Sequence, residues 1–63
     1  MDWRSHITSD PAVCHGAPCI RGTRIMVWVI LDELAEGSAV EAVAQSYGIS
    51  REDVLAAIAF AWQ

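Results

Sequence analysis

Along the second half of the chain, apolar residues recur at the spacing of helix faces. Val27, Ile30, Leu31 and Leu34 stand at i, i+3, i+4 and i+7, with Asp32, Glu33 and Glu36 off that face. The pattern predicts a first helix, stopped by Gly37 where a left-handed residue is wanted. Ser38 with Glu41 then reads as an S-x-x-E capping box opening a second helix. Val40, Val43, Ala44 and Tyr47 repeat the face spacing until Gly48. Ser50 opens a third helix, with Asp53 as an acidic near-equivalent of the same box. Glu52 and Asp53 fill its first turn, where carboxylates suit the helix dipole.

The third helix is apolar on more than one side. Val54, Leu55, Ile58, Ala61 and Trp62 group on one face, and Ala56, Ala59 and Phe60 on another. A helix apolar all round is buried all round, yet 63 residues provide too little chain to wrap it. The pattern therefore predicts an oligomer, dimer or larger, or a protein partner, with Leu55, Ala59, Phe60 and Trp62 at the interface. Three tryptophans in so short a chain agree, since aromatic residues anchor interfaces.

Residues 1–25 lack helical periodicity. Trp3 to Thr8 is short and mixed, with Ile7 as its apolar anchor, and Pro18 to Arg21 reads as a second short strand with Cys19 and Ile20 on opposite faces. The two are expected to pair as a hairpin closed by the loop 10–17. Ser9-Asp10-Pro11 marks a turn or the start of a one-turn helix. The fold expected is mainly α: a three-helix, homeodomain-like and helix-turn-helix-like module over residues 26–63, behind a short N-terminal β element at 1–25, in one domain.

Composition supports a folded chain, because 54% apolar and 19% charged residues is too apolar for disorder. Charge is uneven. Residues 1–25 carry three arginines against two aspartates, net +1, whereas residues 26–63 set Arg51 against six carboxylates, net −5. An acidic body repels nucleic acid unless its few cations cluster, and suits a basic protein partner better. The start, MDWRSHITS, lacks the basic and apolar regions of a signal peptide. The longest apolar run, Val54 to Trp62, is nine residues, against the roughly 20 of a membrane helix. A cytoplasmic protein with reduced thiols and no membrane contact is expected.

Candidate chemistry concentrates in Arg21-Gly22-Thr23-Arg24. Two guanidinium groups, a hydroxyl and N–H groups at a helix mouth suit an anion or nucleic-acid phosphate. The same residues equally suit a tight corner: Gly22 turning the chain, Thr23 satisfying the first helix, the arginines paired with Asp10 or Glu36. Cys14, His15, Cys19 and His6 have zinc-ligand chemistry, but C-x4-C is too long a spacing and His6 stands apart, so neither metal nor other cofactor is expected. "VEAVAQSYGISREDVLAAIAF" has the cadence of a helix-turn-helix, yet after Arg51, Glu52 and Asp53 its last helix shows nothing polar until Gln63. Such a face does not read base edges. No nucleophile–base–acid set or phosphate-binding glycine loop is present, and no enzyme activity is expected.

The segment "SDPAVCHGAPCIRGTRIMV" resembles the signature of the family called domain of unknown function 433. The matching residues are Asp10, Pro11, Gly16, Pro18, Ile20, Gly22, Thr23, Arg24 and Ile25, followed by the apolar helix, "SAVEAV" and "ISREDVLAAIAFA". The resemblance implies a homeodomain-like helical core. It also implies an antitoxin-like role in a type II toxin–antitoxin pair, since members are often encoded beside ribonuclease-like toxins. The alternatives are a DNA-binding transcriptional regulator of its own operon acting through Arg21–Arg24, and a purely structural homo-oligomerisation module. Two departures stand out: Met26 where members often have Pro, and an ending at Gln63 where members often continue into a charged tail.

Overall fold

The computed structural model describes residues 2–63. A 3-10 turn at Trp3–Ser5 leads into strand β1 (Ile7–Thr8). A second 3-10 turn at Cys14–Gly16 leads into β2 (Cys19–Ile20), and helices α1 (Val27–Ala35), α2 (Val40–Tyr47) and α3 (Arg51–Ala61) follow. The strands pair antiparallel, Ile7 opposite Ile20 and Thr8 opposite Cys19. This is the expected small, mainly helical domain behind a β element.

Two of the helix ends share one local solution. Gly37 N–H donates to Leu34 O and Ser38 N–H to Glu33 O, with Gly37 at φ +102°. Gly48 N–H donates to Gln45 O and Ile49 N–H to Ala44 O, with Gly48 at φ +66°. Both are Schellman ends, which need a residue that tolerates positive φ. The Ser50–Asp53 capping box forms in full: the Ser50 hydroxyl accepts from Asp53 N–H (3.0 Å) and Asp53 Oδ2 accepts from Ser50 N–H (3.2 Å).

The expected Ser38–Glu41 box does not form. Ala39 is the N-cap of α2, and its carbonyl accepts from Val43 N–H (3.0 Å). Ser38 is consumed by the end of α1: its N–H closes the Schellman turn, and its hydroxyl donates to Glu33 Oε1 (3.4 Å). The second helix therefore starts one residue late. One N-terminal expectation also changes. Trp3–Ser5 is a 3-10 turn rather than strand, because the Asp2 carboxylate accepts from Arg4 N–H (3.1 Å) and holds the chain in a turn. Cys19 and Ile20, adjacent in β2 and so on opposite faces as expected, are both buried, since structure covers both faces of the strand.

The core gathers one residue or more from each strand and each α-helix: Ile7, Ile20, Val27, Ile30, Val43, Ala44, Val54, Ala56 and Ala57. Ile20, Ile30, Val43 and Val54 are almost completely enclosed, each contributing about 1.5–3 kcal/mol of burial. Leu31, Leu34, Val40 and Tyr47 pack on its margin, as their helical spacing predicts.

Candidate functional site

The Arg21–Arg24 corner is the tip of a tight hairpin. Thr23 N–H donates to Ile20 O (3.0 Å) and Ile20 N–H to Ile25 O (2.9 Å). Gly22, at φ +81°, occupies the third position of what is a type II turn. Beyond the tip the chain runs back beside β2, Met26 bridging to Cys19, before α1 begins. Val27 N–H, at the helix mouth, is already donated to Pro18 O (2.9 Å). The corner and the mouth of α1 are thus separate.

Arg21 is occupied internally. Its Nε donates to Ser5 O (3.1 Å), and its Nη2 to Arg4 O (3.2 Å) and Ile7 O (3.3 Å). The guanidinium fork thereby ties the N-terminal turn to the hairpin, in place of the expected pairing with Asp10 or Glu36. Thr23 serves the hairpin too: its hydroxyl donates to Ile20 O (2.8 Å) and accepts from Ile25 N–H (3.0 Å), not from α1. Among the described residues Arg24 makes no side-chain hydrogen bond or ion pair, and it lies exposed. With Thr8, Asp10, Val13, Arg21, Gly22 and Thr23 it lines an open cleft of about 640 Å³. The Asp10 carboxylate there works against binding a second anion. Behind the tip, the Cys14 thiol donates to Arg24 O (3.1 Å) and the Cys19 thiol to Thr23 O (3.6 Å).

The second candidate surface is the outer side of α3. Val54, Ala56 and Ala57 are buried, and Phe60 packs on the core margin. Leu55, Ile58 and Ala59 are half-exposed, and Trp62 is 84% exposed. Of the expected interface set, Leu55, Ala59 and Trp62 share the outer face at i, i+4 and i+7, joined by Ile58. Phe60 belongs to the inner one, where its ring meets Trp3 edge-on. The division of faces read from the sequence is corrected accordingly. The Trp3–Ser5 turn, α1 and α2 all pack on α3, so the chain itself covers more of the helix than its length suggested.

Two further features were not read from the sequence: the exposure of Trp28 and the partner of His6. Trp28 is 61% exposed, its indole N–H donating to Met26 sulfur (3.1 Å). Its signal was there: a large aromatic one residue off the apolar face of α1. His6 lies against α3, with Nδ1 donating to Asp53 Oδ1 (2.8 Å). No local pattern links positions so far apart. Burial pushes the Asp53 carboxyl upward, but donors from His6 and from the Ser50 backbone and hydroxyl, with the charge of His6, outweigh it and hold the group below the usual carboxylate range.

Residues 7–61 match the family described as Protein of unknown function (DUF433). The chain belongs to the DUF433 family. No curated protein matches it. Among solved structures it is similar to the X-ray crystal structure of Rv2018 from Mycobacterium tuberculosis, at 27% identity and a TM-score of 0.77 over 87% of this chain. This chain spans 26% of the length of that protein. In this DUF433 domain the Gly-Thr-Arg-Ile segment forms the tip and return of the hairpin, with the Arg24 side chain left exposed. No helix of the described residues is long and apolar enough to cross a membrane.

Proposed function

We propose that this DUF433 domain is an antitoxin-like protein-binding module that oligomerises and masks a basic, ribonuclease-type toxin, docking through the outer face of α3. The observation that carries the reading is the stripe Leu55, Ile58, Ala59 and Trp62: four apolar side chains at helix-face spacing, none of them part of the core cluster. An apolar helix face with a large aromatic at one end provides the buried anchors of helix-in-groove recognition. Charge supports a basic partner. Arg51, the one cation of residues 26–63, is answered by Glu41 at 2.9 Å, while Glu52 is exposed at the head of the stripe. Like charges repel and opposite charges steer, so the acidic body favours a basic surface.

The DNA-regulator reading has less to draw on. Arg21 donates to three carbonyls, which leaves Arg24 as the free cation of the corner, beside Asp10. One cation per protomer is little against the repulsion of an acidic body.

Co-expression with the neighbouring gene product tests the proposal. A stable complex and loss of toxicity are expected. Trp62→Ala combined with Leu55→Asp should break the complex and restore toxicity while the domain stays folded. A complex that survives the double substitution, or a neighbour that is not toxic, overturns the reading.

A further inference from the structure

Helix α1 carries its carboxylates at the end that favours them least. Asp32 and Glu33 lie in its last turn and Glu36 is its C-cap, while its first turn holds no acid and its last turn no base. The C-terminal end of a helix is its negative pole and favours cations. Asp32 and Glu36 are also like charges one turn apart, which repel. Glu33 is answered within the chain, by the hydroxyls of Ser38 (3.4 Å) and Tyr47 (3.3 Å). Asp32 and Glu36 are exposed, and among the described residues their carboxylates take part in no hydrogen bond or ion pair. One turn before Asp32 stands Trp28, exposed on the same side of the helix. Its ring is held in place, the indole N–H donating to Met26 sulfur (3.1 Å). Trp28, Asp32 and Glu36 thus form one exposed line, in steps of about 6 Å along the axis.

We infer that this face of α1 is a docking surface for a basic protein segment, which lays an arginine on the Trp28 ring and sets a second cation, about one helical turn on, between Asp32 and Glu36. The chain contains a precedent for the first contact: the Arg4 guanidinium lies over the Trp3 ring, 4.8 Å from its centroid. It has no such cation for Trp28. Of its four arginines, Arg4 is on Trp3, Arg21 donates to three carbonyls, Arg51 pairs with Glu41, and Arg24 lines the cleft at the hairpin tip; there is no lysine. The complementary charge therefore comes from another molecule. The ring face of a tryptophan attracts a guanidinium, and a carboxylate takes its planar fork in two parallel hydrogen bonds. A cation seated there also faces the negative pole of α1 and separates two like charges, so binding relieves both of the unfavourable placements in the free helix. Nucleic acid is repelled by the same two carboxylates. The line lies on α1, and the inference is independent of what docks on α3.

An NMR titration of the whole chain tests it, using an alanine-based peptide with two arginines four residues apart and the same peptide with glutamates in their place. The indole N–H signals of the three tryptophans report separately on the N-terminal turn, α1 and α3. The arginine peptide should shift the Trp28 indole and the backbone amides of Asp32 and Glu36, leave the Trp62 indole in place, and bind more weakly as salt is raised. Asp32→Asn with Glu36→Gln should weaken binding about fivefold and flatten the salt dependence. Trp28→Leu, which keeps apolar bulk but removes the ring face, should weaken it about threefold. Leu55→Asp should bind the peptide as wild type does, whether or not α3 docks a partner. No shift at Trp28, an equal shift with the glutamate peptide, or unchanged affinity in the Asp32→Asn, Glu36→Gln protein overturns the inference. Shifts confined to Trp62 and lost in Leu55→Asp overturn it too, since the basic segment would then belong to α3.

Discussion

The ring of Trp3 meets the ring of Phe60 edge-on, with centroids 5.1 Å apart and planes at 82°. One residue opens the N-terminal turn and the other lies in the last turns of α3. Three residues on from Trp3, His6 reaches Asp53 in the first turn of the same helix. The N-terminal segment is therefore pinned along α3 at both ends, by an aromatic pair at one and a charged hydrogen bond at the other.

The aromatic contact makes Phe60 a stability residue. Phe60→Ala should cost about 2–4 kcal/mol in urea unfolding. A double-mutant cycle with Trp3→Ala should return a coupling of about 0.5–1.5 kcal/mol. A coupling indistinguishable from zero would mean that the ring pair contributes nothing beyond separate burial.

The polar contact should show in acid. A carboxyl whose folded pKa is depressed adds stability above its unfolded value, near 3.9, and that stability is lost as pH falls through the folded value. Asp53 is such a group. Wild-type urea midpoints should fall more steeply below about pH 4 than those of Asp53→Asn. His6→Ala removes the first of the donors that lower Asp53, so its acid loss should be smaller and complete at a higher pH. Parallel acid profiles in all three proteins would count against the pairing.

Self-association through the outer face of α3, as proposed, should be separable from stability. Leu55→Asp should leave unfolding free energy within about 0.5 kcal/mol of wild type, as for surface sites generally, while abolishing the proposed self-association in light scattering. Wild-type protein that is monomeric at high concentration would remove the case for self-association.

The two arginines of the hairpin should part company. Arg21→Ala should lose about 1–2 kcal/mol of stability, because three carbonyls lose a shared donor. Arg21→Lys should recover little of it, since an ammonium lacks the planar fork. Arg24→Ala should be near neutral in the same urea titration. Equal losses at both positions would show that the guanidinium contacts of Arg21 are not what holds the N-terminal turn.

Sequence alone determined the features that depend on a few neighbouring residues. The helix faces of α1 and α2, the left-handed stops at Gly37 and Gly48, the Ser50–Asp53 box and the Asp10-Pro11 turn are all closed within about five residues. So was family membership, which rested on the Gly-Thr-Arg-Ile segment and its surroundings. Tertiary structure decided whatever needed a partner from far along the chain. Ser38 had the right spacing to cap α2, but the end of α1 had a prior claim on it. Arg21 looked like an anion ligand until two carbonyls of the N-terminal turn and one of β1 came within its reach. Phe60 and Ala59 are adjacent on an apolar helix, and periodicity does not say which of two apolar faces turns inward. The N-terminal turn settles that by laying Trp3 on Phe60, which leaves Leu55, Ile58, Ala59 and Trp62 on the outer face.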